Sequence, residues 1–367
     1  MSSKKMSQPK LLELDIVRAI AILAVLAIHN SSDAIGELSL GSGSQTLYVI
    51  INKLNNFAVP VFLLLSGLVL FYRYQGDFSG KQAFSFYVKR VRQVLIPYVA
   101  WSLFYYLYYQ WLFLRPDLKL DWAAFWELLP WADAWYHLYF MVIIVQFYLL
   151  FPLLMWLCRW SWFRRWLGWI GLAVQVAFYS YHYWVEPFEH MASLCFNYFS
   201  VFALGGWIGL HYASFSAWLR RRFAVVLTAT VAAGAAFTSI FLAEGRVELQ
   251  VNPYVYQALF FGYAALVSLT LIRIGQLVVE RWKTLSKMLF ALGSVSFGIY
   301  LMHPAVLTYY RLRYHYDGGS ILLYHAYTLG GFVLTLALPW LLVYAYQRVM
   351  KLVRRKPVRP VPKPEIG

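Results

Sequence analysis

Apolar residues in this chain gather into long runs broken by short polar stretches. Ten runs are long enough to cross a hydrocarbon core of about 30 Å as helices rising 1.5 Å per residue. They cover residues 11–31, 50–72, 94–114, 135–157, 166–184, 195–213, 223–243, 254–273, 288–308 and 321–346. The pattern predicts an all-α polytopic membrane protein of about ten transmembrane helices. Residues 1–10 form a short N-terminal segment, 11–346 the transmembrane domain and 347–367 a basic, proline-rich tail. The first run follows lysines, as a signal peptide does. It ends in polar residues without a small-x-small cleavage site, so it reads as a retained first helix. Between the third and fourth runs, residues 115–131 are expected to form an amphipathic helix in the interface. No internal repeat and no glycine-rich nucleotide loop stands out.

Composition agrees with the pattern. Of the 367 residues, 61% are hydrophobic and only 13% charged, against about a quarter charged in soluble domains. A soluble fold of this length could not hide so much apolar surface. Cys158 and Cys195 lie in or beside apolar runs with no metal-ligand spacing, and they read as packing residues. No metal is expected.

The net charge of +16 first suggests nucleic acid. Its distribution argues otherwise. With the N-terminus in the cytoplasm and the spans alternating, 26 of the 32 basic residues fall on the cytoplasmic side. Only Lys53, Arg115, Lys119, Arg246, Arg311 and Arg313 fall outside. The positive-inside rule thus orients the chain with both termini in the cytoplasm and accounts for the charge without nucleic acid.

Lipid does not explain every polar residue. In "LLELDIVRAIAILAVLAIHNSS" Arg18 and His29 are eleven residues apart, about 20° past three full turns and roughly 16 Å along the axis. Asp15 lies about 40° to the other side of His29, so all three share one face. Ionisable groups at such depth face a cavity or one another. The same spacing also fits an anchoring Arg18 with Asp15 as its i, i+3 partner and His29 at the interface. Asp33, four residues beyond His29, orients the imidazole if the helix continues that far. In "FAVPVFLLLSGLVLFYRY", Ser66 and Gly67 permit close backbone approach, and Pro60 kinks the helix. Lys89, Arg90 and Arg92 in "YVKRVRQVLIPYVAWS" are an orientation signal, or a phosphate-binding cluster for a cytosolic donor. Ser296, Tyr300 and His303 in "ALGSVSFGIYLMHP" fall within about 40° of one helix face. His303 and His29 lie at similar depth, so they can face one cavity. His137 stands among aromatic residues near the outer edge, as part of an interfacial belt or a substrate platform.

These motifs together resemble the integral membrane acyltransferases of acyltransferase family 3, over roughly residues 11–346. The most specific part is Arg18, ten residues and then His29. "PVFLLLSGLVL", "VKRVRQVLIPYVAWS", "HLYFMVIIVQFYLLFPLL" and "SVSFGIYLMHP" support it in the family's order. One departure is that the family's Arg-x-x-Arg pair is replaced here by "KRVRQ". The resemblance implies a stand-alone ten-helix O-acyltransferase of a bacterial plasma membrane. The implied donor is cytosolic acetyl-CoA, used as a substrate with no tightly bound cofactor. The implied acceptor is a hydroxyl of a surface polysaccharide or a lipid-linked glycan precursor.

On that basis His29, Arg18 and Asp15 are the expected catalytic face, His29 acting as base or as acyl carrier. Lys89, Arg90 and Arg92 are expected at the donor, and Asp33, Ser66, His137, Ser296, Tyr300 and His303 around the acceptor or cavity. Two other outcomes fit the same residues: a glycan exporter or flippase without acyl transfer, and transfer of another short acyl group such as succinyl.

Overall fold

The computed structural model of the protein describes residues 8–75, 78–115, 118–247, 249–314, 316 and 319–353. Among them are thirteen α-helices and no strand. α1 spans Glu13–Glu37, α2 Gly43–Asn55, α3 Ala58–Tyr74, α4 Gly80–Arg90, α5 Ile96–Phe113, α6 Trp122–Glu127 and α7 Tyr139–Leu157. α8 spans Ser161–Trp184, α9 Phe199–Leu210, α10 Tyr212–Val247, α11 Pro253–Arg281, α12 Lys283–Arg313 and α13 Ile321–Val353.

Every one of the ten apolar runs is helical. Seven spans are long and apolar enough to cross a membrane: α1, α2 with α3 as one, α7, α10, α11, α12 and α13. The chain is therefore a multi-pass membrane protein. The other three runs are α5, α8 and α9. α9 has only 12 residues. α5 is rich in tyrosine and tryptophan, and α8 carries Arg164, Arg165 and Gln175. The expected amphipathic helix between the third and fourth runs shrinks to α6, whose Asp121 carboxylate accepts from the Ala123 and Ala124 amides. Pro116 and Asp117 lie outside the described residues, as do residues 1–7 and the tail from residue 354. Up to Val353 that tail continues α13.

α1 is the axis of the bundle and packs on α2, α3, α11, α12 and α13. Between Ala19 and Ile28 its sequence is apolar all round, as a buried helix requires. Ile16, Val17, Ala19, Ala21, Ile22 and Leu26 are all sealed from solvent. Lipid is as apolar as these side chains, so close packing holds such helices together, and small residues permit it. Gly293 on α12 faces the Asp15 carbonyl so closely that a Cβ there would overlap it. Gly205 and Gly209 do the same for α9 against the Leu64 and Leu68 carbonyls of α3. Gly67 meets the Phe202 carbonyl, so its place in the sequence is a packing one.

α4 does not run straight into α5. A π-helical turn, Val91–Leu95, joins them, with Pro97 just inside α5. Such turns carry one extra residue and recur at functional sites. Cys158 and Cys195 are free and buried, as packing residues are.

Candidate active site

α1 continues through Ser31, Ser32 and Asp33 to Glu37, so His29 sits inside a helix and not at its end. Its ring is half-buried. Among the described residues no side chain or backbone group hydrogen-bonds to it. Two aromatic partners face it across the bundle. Tyr136 lies 5.0 Å and His303 5.2 Å from it, ring centroid to centroid. His137 lies 5.7 Å from His303 on the same scale. The structure thus brings together the three histidines of three separate sequence segments.

Each is placed by identifiable bonds. His303 is fully buried on α12. Its Nδ1 lies 2.8 Å from the Tyr300 carbonyl and 3.2 Å from the Ile299 carbonyl. Carbonyls only accept, so Nδ1 carries the proton and Nε2 keeps a bare lone pair. That Nε2 is buried with no partner. His137 is also buried, and neither of its ring nitrogens has a partner. The Tyr300 hydroxyl donates to the His137 carbonyl, and Tyr105 packs its ring 5.0 Å from the imidazole. Tyr105 and Tyr108 on α5 donate to the Leu301 and Ala305 carbonyls at 2.7 and 2.8 Å. Pro304 lies inside α12, so the Tyr300 carbonyl has no helical amide to accept from and receives the His303 proton instead. Five residues before His137, Ala132 adopts φ +67° while buried. That left-handed conformation is uncommon for a residue with a Cβ.

Asp33 does not orient His29, as the sequence suggested it would. It pairs with Arg311 of α12, Oδ2 to Nε 2.6 Å, and Arg311 also donates to the His29 carbonyl at 2.8 Å. The guanidinium fork therefore clamps α1 to α12 one turn above the imidazole. Arg311 and Tyr136 were not singled out in the sequence. Their role depends on contacts across hundreds of residues, which no local pattern carries. Asn30, next to His29, is likewise fixed from α13, donating to Thr335 Oγ1 at 3.1 Å.

At the other end of the α1 stripe, Asp15 is buried and holds Arg18 at 2.5 Å and Lys10 at 2.8 Å. Arg18 and His29 share a face but remain three turns apart, so the structure does not bring them into contact. Arg90 turns inward, its guanidinium 4.6 Å from the Tyr148 ring and 5.1 Å from Phe86. Tyr148 lies within electrostatic reach of both Arg90 and Arg18. Lys89 and Arg92 are exposed on the last turn of α4 and the π turn. Ser66 is half-buried and spends its hydroxyl on the Phe62 carbonyl at 2.9 Å. Ser296 does likewise with Gly293 at 2.8 Å. With the Tyr300 proton also committed, neither Ser296 nor Tyr300 has a free donor. No metal-ligating cluster occurs among the described residues.

The fold is a helical membrane bundle with a histidine cluster inside it, and a family match makes it an integral membrane acyltransferase. The model of acyltransferase family 3, described as an acyltransferase domain, matches residues 11–344, and the chain belongs to this family. It is also similar to two curated proteins, from Staphylococcus aureus strains MRSA252 and MSSA476. Each is called "Probable poly-beta-1,6-N-acetyl-D-glucosamine export protein". Each is 25% identical over 310 residues, covering 81% of this chain and 82% of the relative. No solved structure matches the chain significantly.

Proposed function

We propose that this acyltransferase moves an acetyl group from cytosolic acetyl-CoA to a hydroxyl of a cell-envelope polysaccharide or its lipid-linked precursor. The observation that carries the reading is the open His29 imidazole beside the buried, unpartnered Nε2 of His303. In this account His29 removes the acceptor's hydroxyl proton. The oxygen attacks the thioester carbonyl, the C–S bond breaks, and the CoA thiolate leaves and takes up a proton. Alternatively His29 takes the acetyl group first and passes it on. Either way His303 Nε2, without a partner in this structure, is the acceptor available to the second nitrogen of His29 once its ring turns to meet the substrates.

The donor's phosphates sit at Lys89, Arg90 and Arg92, which are basic and lie at the Arg18 end of the stripe. The pantetheine arm then reaches about 16 Å along α1 from Arg18 to His29. The basic end faces the cytoplasm and both termini lie there. Tyr136 is exposed beside His29 and Trp135 is half-buried next to it, and these two offer faces for sugar rings.

A second reading is favoured by one specific finding, the word "export" in the relatives' names. In it the same bundle passes a glycan across the membrane. The two separate in proteoliposomes. Acyl transfer requires CoA release from acetyl-CoA when glycan acceptor is present, lost in His29→Ala. Glycan translocation with no acetyl-CoA supplied supports export instead.

A further inference from the structure

Away from the histidines, α8 and α11 stand on either side of α9 and leave a groove between them. Its volume is about 930 Å³, near the top of the roughly 300–1,000 Å³ typical of ligand sites. From Arg165 to Tyr179 its α8 wall runs over fifteen residues, a rise of about 21 Å. One leaflet's hydrocarbon is roughly 15 Å deep, half of a bilayer core, so the groove fits one acyl chain and the start of its headgroup. The wall is apolar for most of that length, through Trp169, Leu172, Val176, Leu204 and Phe261.

The two ends differ. At one, α8 and α11 are tied together by the Trp184 indole, which donates to the Tyr254 hydroxyl at 2.6 Å. At the other stand Arg165, the one charged residue in the lining, and His211. A smaller cavity of about 240 Å³ adjoins the groove at Gln257 and Phe261, and its lining carries no charge. It offers a phosphate nothing. Halfway along, Gly262 faces open space, with no atom within 4 Å of where a Cβ would be.

We infer that this groove is a binding site for one anionic phospholipid, its phosphate at Arg165 and His211 and one acyl chain running toward the Tyr254 end. The closed aromatic end accepts a chain terminus, and the basic end complements a phosphodiester. The site does not depend on acyl transfer at His29.

The test uses the full chain, purified in mild detergent, washed and analysed by native mass spectrometry with lipid extraction. Wild type should retain about one phospholipid per chain. In competition, phosphatidylglycerol should displace it at concentrations about five-fold below phosphatidylcholine, the preference expected from one arginine near a phosphate. Gly262→Leu, which fills open space, should lose the lipid. Arg165→Gln should keep the thermal midpoint and lose the preference for phosphatidylglycerol. Retention by Gly262→Leu equal to wild type would overturn the inference. So would a wild type that retains no lipid, one that retains a neutral glycolipid, or a preference that survives Arg165→Gln.

Discussion

His303 offers the cleanest test at the scale of single residues, because its two nitrogens do different things. Nδ1 donates to a backbone carbonyl and holds α12 together, while Nε2 is the free lone pair beside His29. His303→Asn keeps a donor near the Nδ1 position and loses Nε2. It should retain the wild-type thermal midpoint and lose at least about ten-fold in turnover, a modest share of what general-base positioning supplies. His303→Gln places an acceptor near Nε2 and should recover part of that loss. Equal activity in wild type and His303→Asn would reduce His303 to a structural residue. Arg311 belongs to the same shell. Arg311→Ala frees both Asp33 and the His29 carbonyl, yet the pair is about a third exposed, so its contribution to stability is about 1 kcal/mol or less. Activity should fall further than the thermal midpoint suggests, because the loss is of His29 placement. Asp33 shows where reading the sequence stopped short. Its spacing from His29 was visible, but its actual partner, Arg311, sits 278 residues away.

At the scale of elements, two local devices position the site, and neither showed in hydropathy. The first is Gly293, where α12 presses on the Asp15 carbonyl. Gly293→Ala should push α12 from α1, costing about 1–3 kcal/mol as overpacking does. Gly262→Ala faces open space and should cost far less. A thermal-aggregation series on the two purified variants measures the difference. The second is the π turn at Val91–Leu95. Deleting Gln93 removes the extra residue, closes the wide turn and resets the local placement of Arg90 and Arg92 against α5. The apparent KM for acetyl-CoA should then rise, with little change in membrane insertion. An unchanged KM would separate the donor site from this cluster. The helices themselves were legible, since all ten apolar runs are helical. Their lengths were not. α1 continues past Ser31 and Ser32 because Ser31 bonds back to Ala27 at 2.7 Å and Ser32 to His29 at 2.9 Å. A polar triplet therefore reads as a loop in sequence and is helix in the fold.

For the whole molecule, the membrane class follows from composition and is plain in seven long apolar helices. The assembly of three histidines from α1, the turn before α7 and α12 is tertiary; the sequence put His29 and His303 at similar depth and His137 only near the outer edge. Sidedness is a separate claim with its own check. Cys158 and Cys195 are buried, so single surface cysteines can be labelled over a low background. With the basic side in the cytoplasm, Lys119→Cys should react with an impermeant maleimide on intact cells, and Arg222→Cys only after lysis. The central claim is that His29 performs acyl transfer, and the most direct measurement is CoA release by the purified protein in proteoliposomes supplied with acetyl-CoA and glycan acceptor. The account predicts acceptor-dependent release in wild type and background release in His29→Ala of equal expression and thermal midpoint. Release by His29→Ala at the wild-type rate would contradict it.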